Sequence, residues 1–214
     1  FGVKDRIHYG TFQQLAERSI SDRGKVRQLA SAAVEQRPVP AAAARRDPPT
    51  KILLIDEVDV FFSKDFYGAT YNPSAKFNAP ELQALQRHIW DKHNKPEDAA
   101  ALCEQVMALP QYAALVGRYA HLEPLLKATI PQMVEDCYKV ATGMCKPYQA
   151  KDHGIGYQQQ ERVVTTQRVR YQTYFAAMKE KASDPQMDAD KYSGIIIPCG
   201  SFSYAEMAKT GDRA

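Results

Sequence analysis

The stretch Ile52-Leu53-Leu54-Ile55-Asp56-Glu57-Val58-Asp59 constrains this chain more than any other. Four branched apolar residues run directly into three carboxylates spread over four positions. A short apolar run of this kind suits a strand buried on both faces of a parallel sheet. In open α/β sheets, ligands bind beyond the carboxyl ends of the strands. The pattern predicts a strand over 51–60 whose C-terminal end presents Asp56 and Glu57 to a ligand. A buried strand closing in a solvated acidic turn fits the same residues, because apolar runs followed by Asp-Glu are common.

The 214 residues are enough for one large domain or two small ones. The chain opens on Phe1, closes on Ala214 and reads as a piece of a longer protein. Its composition, 44% hydrophobic and 25% charged, is that of an ordinary globular domain. A net charge of +3 with no Lys/Arg block argues against a nucleic-acid partner. No apolar run approaches the ~20 residues of a membrane span, and no secretory signal opens the chain. Cys103, Cys137, Cys145 and Cys199 form no C-x-x-C pair, so they read as reduced thiols of a cytoplasmic protein.

Arg6–Tyr9 reads as a short strand ending at Gly10, after which the Thr11 hydroxyl can accept a free N–H of a following helix. A second helix is expected over 21–35. Four prolines and an alanine run between Arg37 and Pro49 mark a loop leading into the acidic strand. Phe61, Phe62, Phe66 and Tyr67 are expected to pack in a core. Residues 79–145 carry apolar residues at helical spacing: Leu82, Leu85, Ile89 and Trp90; Leu102, Val106 and Leu109; Leu115, Leu122 and Leu126. Pro110 and Pro131 read as helix starts, and Pro80, Pro96 and Pro124 as breaks. Gly154–Tyr157 reads as a turn before one or two strands over 161–171, rich in β-branched residues. A short helix over 174–181 and a second buried strand at Ile195–Ile197 follow.

Four places in the sequence resemble the SecA-type, DEAD-like motor ATPases, in particular the divergent SecA-like modules of large eukaryotic proteins. Asp5-Arg6-Ile7-His8-Tyr9-Gly10-Thr11 is similar to the I-x-Y-G-T strand and turn of that family. Leu54-Ile55-Asp56-Glu57-Val58-Asp59 is similar to its V-D-E-V-D, a Walker B form more specific than a generic D-E-A-D box. Tyr171-Gln172-Thr173-Tyr174-Phe175 and Gly200-Ser201-Phe202-Ser203-Tyr204-Ala205-Glu206-Met207 resemble two short aromatic motifs of the SecA-like modules. The likeness touches both ends and the centre of the chain, while the helical middle matches by position.

The resemblance implies an α/β fold: part of a RecA-like P-loop ATPase with a parallel sheet, interrupted by a largely helical insertion. Residues 1–78 would belong to the nucleotide-binding domain, 79–170 to an insertion in the place of the preprotein-crosslinking domain, and 171–214 to the return. It implies ATP and Mg²⁺ as cofactors. Asp56 would hold Mg²⁺, commonly through water, Glu57 would orient or deprotonate the attacking water, and Asp59 would join Asp56 in nucleotide binding. Gly10 and Thr11 would contact the other lobe or a substrate polypeptide. The partner would be a polypeptide, with peripheral membrane association possible by family likeness alone. The chain contains no G-x-x-x-x-G-K-[ST] phosphate loop and no T-G-T.

Other constellations are weaker. His88 and His93 are five apart and lie on different faces of a helix, whereas H-E-x-x-H places its ligands at i and i+4. Cys199 beside Gly200-Ser201 has no identifiable histidine partner. Three function classes stay open: an ATP-driven motor for polypeptides, a non-hydrolysing scaffold of the same fold, and a DEAD-like RNA helicase. The last is weakened by the absence of basic stripes.

Overall fold

A computed structural model describes residues 7, 9–38, 59, 62, 67–93, 99–159 and 162–205. The chain divides into two compact units, Phe1–Lys76 with Ile197–Ala214, and Phe77–Ile196. The second unit is thus inserted between two stretches of the first. In chain order the elements are α1 (Phe12–Gly24), α2 (Val26–Val34), β1 (Thr70–Tyr71), β2 (Ser74–Phe77), α3 (Pro80–Lys92), α4 (Ala99–Met107) and α5 (Pro110–Arg118). Then come α6 (Glu123–Ala141), β3 (Gln149–Lys151), β4 (Gly154–Gln159), β5 (Arg162–Val164), α7 (Gln172–Glu180), β6 (Ile195–Pro198) and β7 (Phe202–Ser203). Short 3₁₀ turns occupy Ala120–Leu122 and Asp190–Tyr192.

In the first unit, α1 begins at a capping box. The Gln14 N–H donates to Thr11 Oγ1 at 3.3 Å, and the Thr11 N–H donates to Gln14 Oε1 at 2.9 Å. Two otherwise orphaned N–H groups are satisfied at once. Lys25, at φ 49°, ends α1 and opens α2. β1 and β7 pair antiparallel, with Thr70 opposite Ser203 and Tyr71 opposite Phe202. The buried Tyr204 ring lies 6.5 Å from Phe12 and 6.4 Å from Tyr71. The Tyr71 hydroxyl donates to Glu17, which also receives Arg27 Nη2 at 2.7 Å. Burial and the Glu17 carboxylate together push the Tyr71 phenol up to about 12. The aromatic motif at 200–207 is therefore structural at its described residues. Gly200 takes φ +118°, which favours glycine, and Tyr204 fills a core.

The second unit is helical with a three-stranded meander. α3 packs on α5, α4 on α6, and α6 on α7. Leu82, Leu85 and Ile89 of α3, Leu102 and Val106 of α4, Leu115 of α5, and Leu126, Ile130, Met133 and Val140 of α6 are buried at 2% exposure or less. Each such side chain contributes about 1.5–3 kcal/mol of transfer free energy. The helical pattern expected over 79–145 is thus present, and no strand interrupts it among the described residues. Pro80, Pro110 and Pro124 sit in the first turns of α3, α5 and α6, where a missing N–H costs nothing. Pro131 differs from expectation. It lies inside α6 and starts no helix; it is exposed, where water can satisfy the carbonyl it leaves unbonded.

β3 and β4 form a two-residue hairpin with Ala150 opposite Ile155, and β5 pairs with β4 through Gln158 opposite Val163. The turn is Asp152-His153, both at positive φ (51° and 56°), as a primed hairpin turn requires. Gly154–Tyr157, expected as a turn, is the start of β4; the turn precedes it by two residues. Gly156 faces Val163 so closely that a Cβ there would sit 2.4 Å from Val163 Cγ1. Gly156→Ala is expected to destabilise the meander by about 1–3 kcal/mol, the usual range for overpacking, measured as a lower urea midpoint.

Two further expectations change. Residues 171–196 cluster with the inserted unit rather than with the return placed at 171, because Tyr171–Ala177 are buried within it. Phe62 and Tyr67 are 59% and 46% exposed, with ring centroids 5.3 Å apart, rather than core residues. The pairings whose register is defined are all antiparallel. β6 pairs with β2, and only Ile195 of its three isoleucines is fully buried. The strand expected over 51–60 falls almost wholly outside the described residues.

Candidate functional site

Asp56 and Glu57 lie outside the described residues. Asp59 is exposed. Gly10 and Thr11 are exposed at the start of α1, and the Thr11 hydroxyl is engaged in the capping box. A Cβ on Gly10 would lie 3.1 Å from Gln14 Oε1, so glycine leaves that amide its place. Among the described residues no group of three or more His, Cys, Asp or Glu side chains could hold a metal ion. The His93 ring stacks on Trp90, with centroids 4.1 Å apart, while His88 Nε2 is buried without a hydrogen-bond partner among the described residues. Cys103 and Cys137 are buried, and burial pushes the Cys137 thiol up to about 12. Under native conditions Cys137 is expected to resist alkylation that reaches it readily in denaturant, checked by mass spectrometry of labelled peptides.

The aromatic motif at 171–175 is buried and serves the architecture. Asp136 of α6, fully buried, receives Arg170 Nη2 at 2.7 Å, the Tyr171 N–H at 3.1 Å and Gln172 Nε2 at 3.1 Å. Arg170 takes φ 37° to aim at it. Gln172 Oε1 then accepts the Lys146 N–H at 3.1 Å. Thr173 Oγ1 accepts the Val169 N–H and bonds the Tyr157 hydroxyl, both at 2.9 Å. One carboxylate thus ties α6 to the start of α7 and, through Gln172, to Lys146 at the entry to the meander. Gln86 of α3 extends the pattern to the residue before β6, pairing its amide with both backbone groups of Gly194 at 2.9 and 3.4 Å.

The meander and the 3₁₀ turn at Asp190–Tyr192 line an open cleft of about 400 Å³ in the second unit. Tyr192 organises it. Its buried ring lies under the Arg168 guanidinium at 5.3 Å and the Lys191 ammonium at 4.8 Å from the centroid. Its hydroxyl accepts the Ile155 N–H at 2.9 Å. Arg168 Nη2 donates to the Lys191 carbonyl at 2.9 Å, and Lys191 Nζ reaches the His153 carbonyl at 3.4 Å. Gly154 permits this closure, because a Cβ would meet the Tyr192 hydroxyl at 3.1 Å and Lys191 Nζ at 3.2 Å. Lys151, Asp152, Thr165 and Thr166 complete the lining. Burial lowers the Arg168 guanidinium from its ordinary value, and no carboxylate pairs with it among the described residues. The lining carries three cations and one carboxylate, so its field attracts anions.

None of these residues stands out in the sequence. Lys151, Arg168 and Lys191 come from three separate segments, and only folding brings them to one cleft. A scan of protein-family models, of curated proteins and of solved structures returns no match to this chain. No single helix among the described residues is long and apolar enough to cross a membrane.

Proposed function

We propose that this chain is part of a SecA-like motor module that couples ATP hydrolysis to movement of a polypeptide. The observation that carries the reading is the sequence Leu54-Ile55-Asp56-Glu57-Val58-Asp59, flanked by the motifs at 5–11, 171–175 and 200–207. The insertion of Phe77–Ile196 between two stretches of one unit supports it, because the ATPase domain of that family is likewise interrupted after its acidic strand. In this reading the acidic strand joins a RecA-like parallel sheet and ATP-Mg²⁺ sits beyond its carboxyl end. Asp56 and Asp59 hold the nucleotide's metal environment, and Glu57 activates water. Gly10-Thr11 contacts the neighbouring lobe or the polypeptide. The module works in the cytoplasm or peripherally at a membrane.

In the full-length protein, Asp56→Asn is expected to weaken Mg²⁺-dependent nucleotide binding and turnover together, since a charge facing the cation is lost. An Asp56→Asn variant that keeps both intact would remove Asp56 from the nucleotide site, whereas a parent protein that shows no turnover points to a scaffold of the same fold. The 214-residue chain by itself is expected to bind ATP weakly, because it supplies neither phosphate-loop amides nor the accompanying lysine. Titration with a fluorescent ATP analogue checks this, and a Kd below about 1 μM would displace the nucleotide site from the acidic strand.

A further inference from the structure

We propose that the cleft around Tyr192 is a binding site for a small phosphorylated polyol, with the phosphate held by Lys151, Arg168 and Lys191 and a ligand hydroxyl held by Asp152. None of the lining residues belongs to the acidic motif, and the proposal does not rest on the motor reading. The charge is matched: three cations and one carboxylate line the cleft, and a phosphate ester carries close to two negative charges at neutral pH. Donors are in supply. A guanidinium has five N–H groups, and Arg168 directs Nη2 to the Lys191 carbonyl. Neither Lys151 nor the hydroxyls of Thr165 and Thr166 has a partner among the described residues. Ammonium, guanidinium and hydroxyl donors arriving from different segments suit the three terminal oxygens of a phosphate.

The remaining features narrow the ligand. A cleft of about 400 Å³ exceeds a bare phosphate and falls within the range of small-molecule sites. Tyr192 is 6% exposed and already carries two cations, so its ring offers no free face for a nucleobase. That removes the stacking platform on which single-stranded nucleic acids are held. Asp152 lies on the hairpin turn at the same cleft and can only accept hydrogen bonds when ionised. An anion without hydroxyl groups meets repulsion there, whereas a polyol phosphate presents a donor.

Isothermal calorimetry of the whole 214-residue chain with glycerol 3-phosphate, inorganic phosphate and sulfate tests the proposal. Glycerol 3-phosphate is expected to bind saturably at a single site with a Kd below about 1 mM, more tightly than either inorganic anion. Lys151→Gln is expected to weaken it roughly tenfold, the scale of one charge-assisted hydrogen bond, with an unchanged unfolding midpoint because Lys151 is exposed. Thr166→Ala should weaken it to a smaller degree. Asp152→Asn should abolish the preference for glycerol 3-phosphate over inorganic phosphate. The proposal is overturned by the absence of saturable binding, by sulfate binding as tightly as the ester, or by a Lys151→Gln variant that binds like the parent.

Discussion

Replacing Glu57 by glutamine in the full-length protein is expected to leave Mg-ATP binding intact and to lower ATP turnover by roughly 10²–10⁴-fold, the usual scale for a lost general base. Glutamine keeps the size and one oxygen of glutamate but cannot take a proton from water. The neighbouring Asp56 carboxylate, and with it the charge facing Mg²⁺, is untouched. Loss should therefore appear in the chemical step alone, in contrast to Asp56→Asn, where binding and turnover fall together. Single-turnover hydrolysis beside equilibrium binding of a fluorescent nucleotide separates the two. A Glu57→Gln protein that hydrolyses ATP at the parent rate would remove Glu57 from the water-activating role and, with it, the motor reading of the acidic strand.

The second large effect is expected in the core of the inserted unit. Asp136→Ala removes the common acceptor of Arg170, the Tyr171 N–H and Gln172. Breaking a buried charged pair by deleting one partner costs about 3–5 kcal/mol. The lower end applies, because Arg170 is 46% exposed and regains water, whereas the Tyr171 N–H and the Gln172 amide stay buried. A loss of about 3 kcal/mol lowers the melting temperature of a unit this size by roughly 10 °C. Asp136→Asn keeps an acceptor and loses the charge, so its effect should be smaller. Urea unfolding followed by circular dichroism orders the variants. An Asp136→Ala loss below about 1 kcal/mol would mean that water or a repacked side chain replaces the carboxylate.

Much of the helical architecture is legible along the chain. Leu82, Leu85 and Ile89, or Leu102 and Val106, recur at the spacing of one helix face, and a helix face is a local property of sequence. Thr11 as a cap is legible for the same reason, since donor and acceptor lie three residues apart. The hairpin turn was misplaced because Gly154 and Gly156 look like turn residues. Their actual use is close approach: Gly154 to Tyr192 and Lys191, Gly156 to Val163. No local pattern distinguishes a glycine needed for a backbone angle from one needed for a neighbour's volume. The motif at 171–175 was recognisable as a string, but its task was hidden, because Asp136, the residue that explains it, lies a helix away.

By itself the sequence determined the helices between residues 80 and 141 and the break in pattern near residue 78; the acidic motif at Asp56, Glu57 and Asp59 is legible as a string, and the chemistry it implies is a proposal. All of these rest on periodicities and spacings within a few turns of chain. The tertiary structure alone decided that residues 171–196 cluster with the helical unit, that one buried carboxylate joins α6 to α7, and that Lys151, Arg168 and Lys191 line one cleft. These depend on contacts between residues far apart in the chain. Their energies come from burial and from hydrogen-bond partners that have no signature until the segments meet.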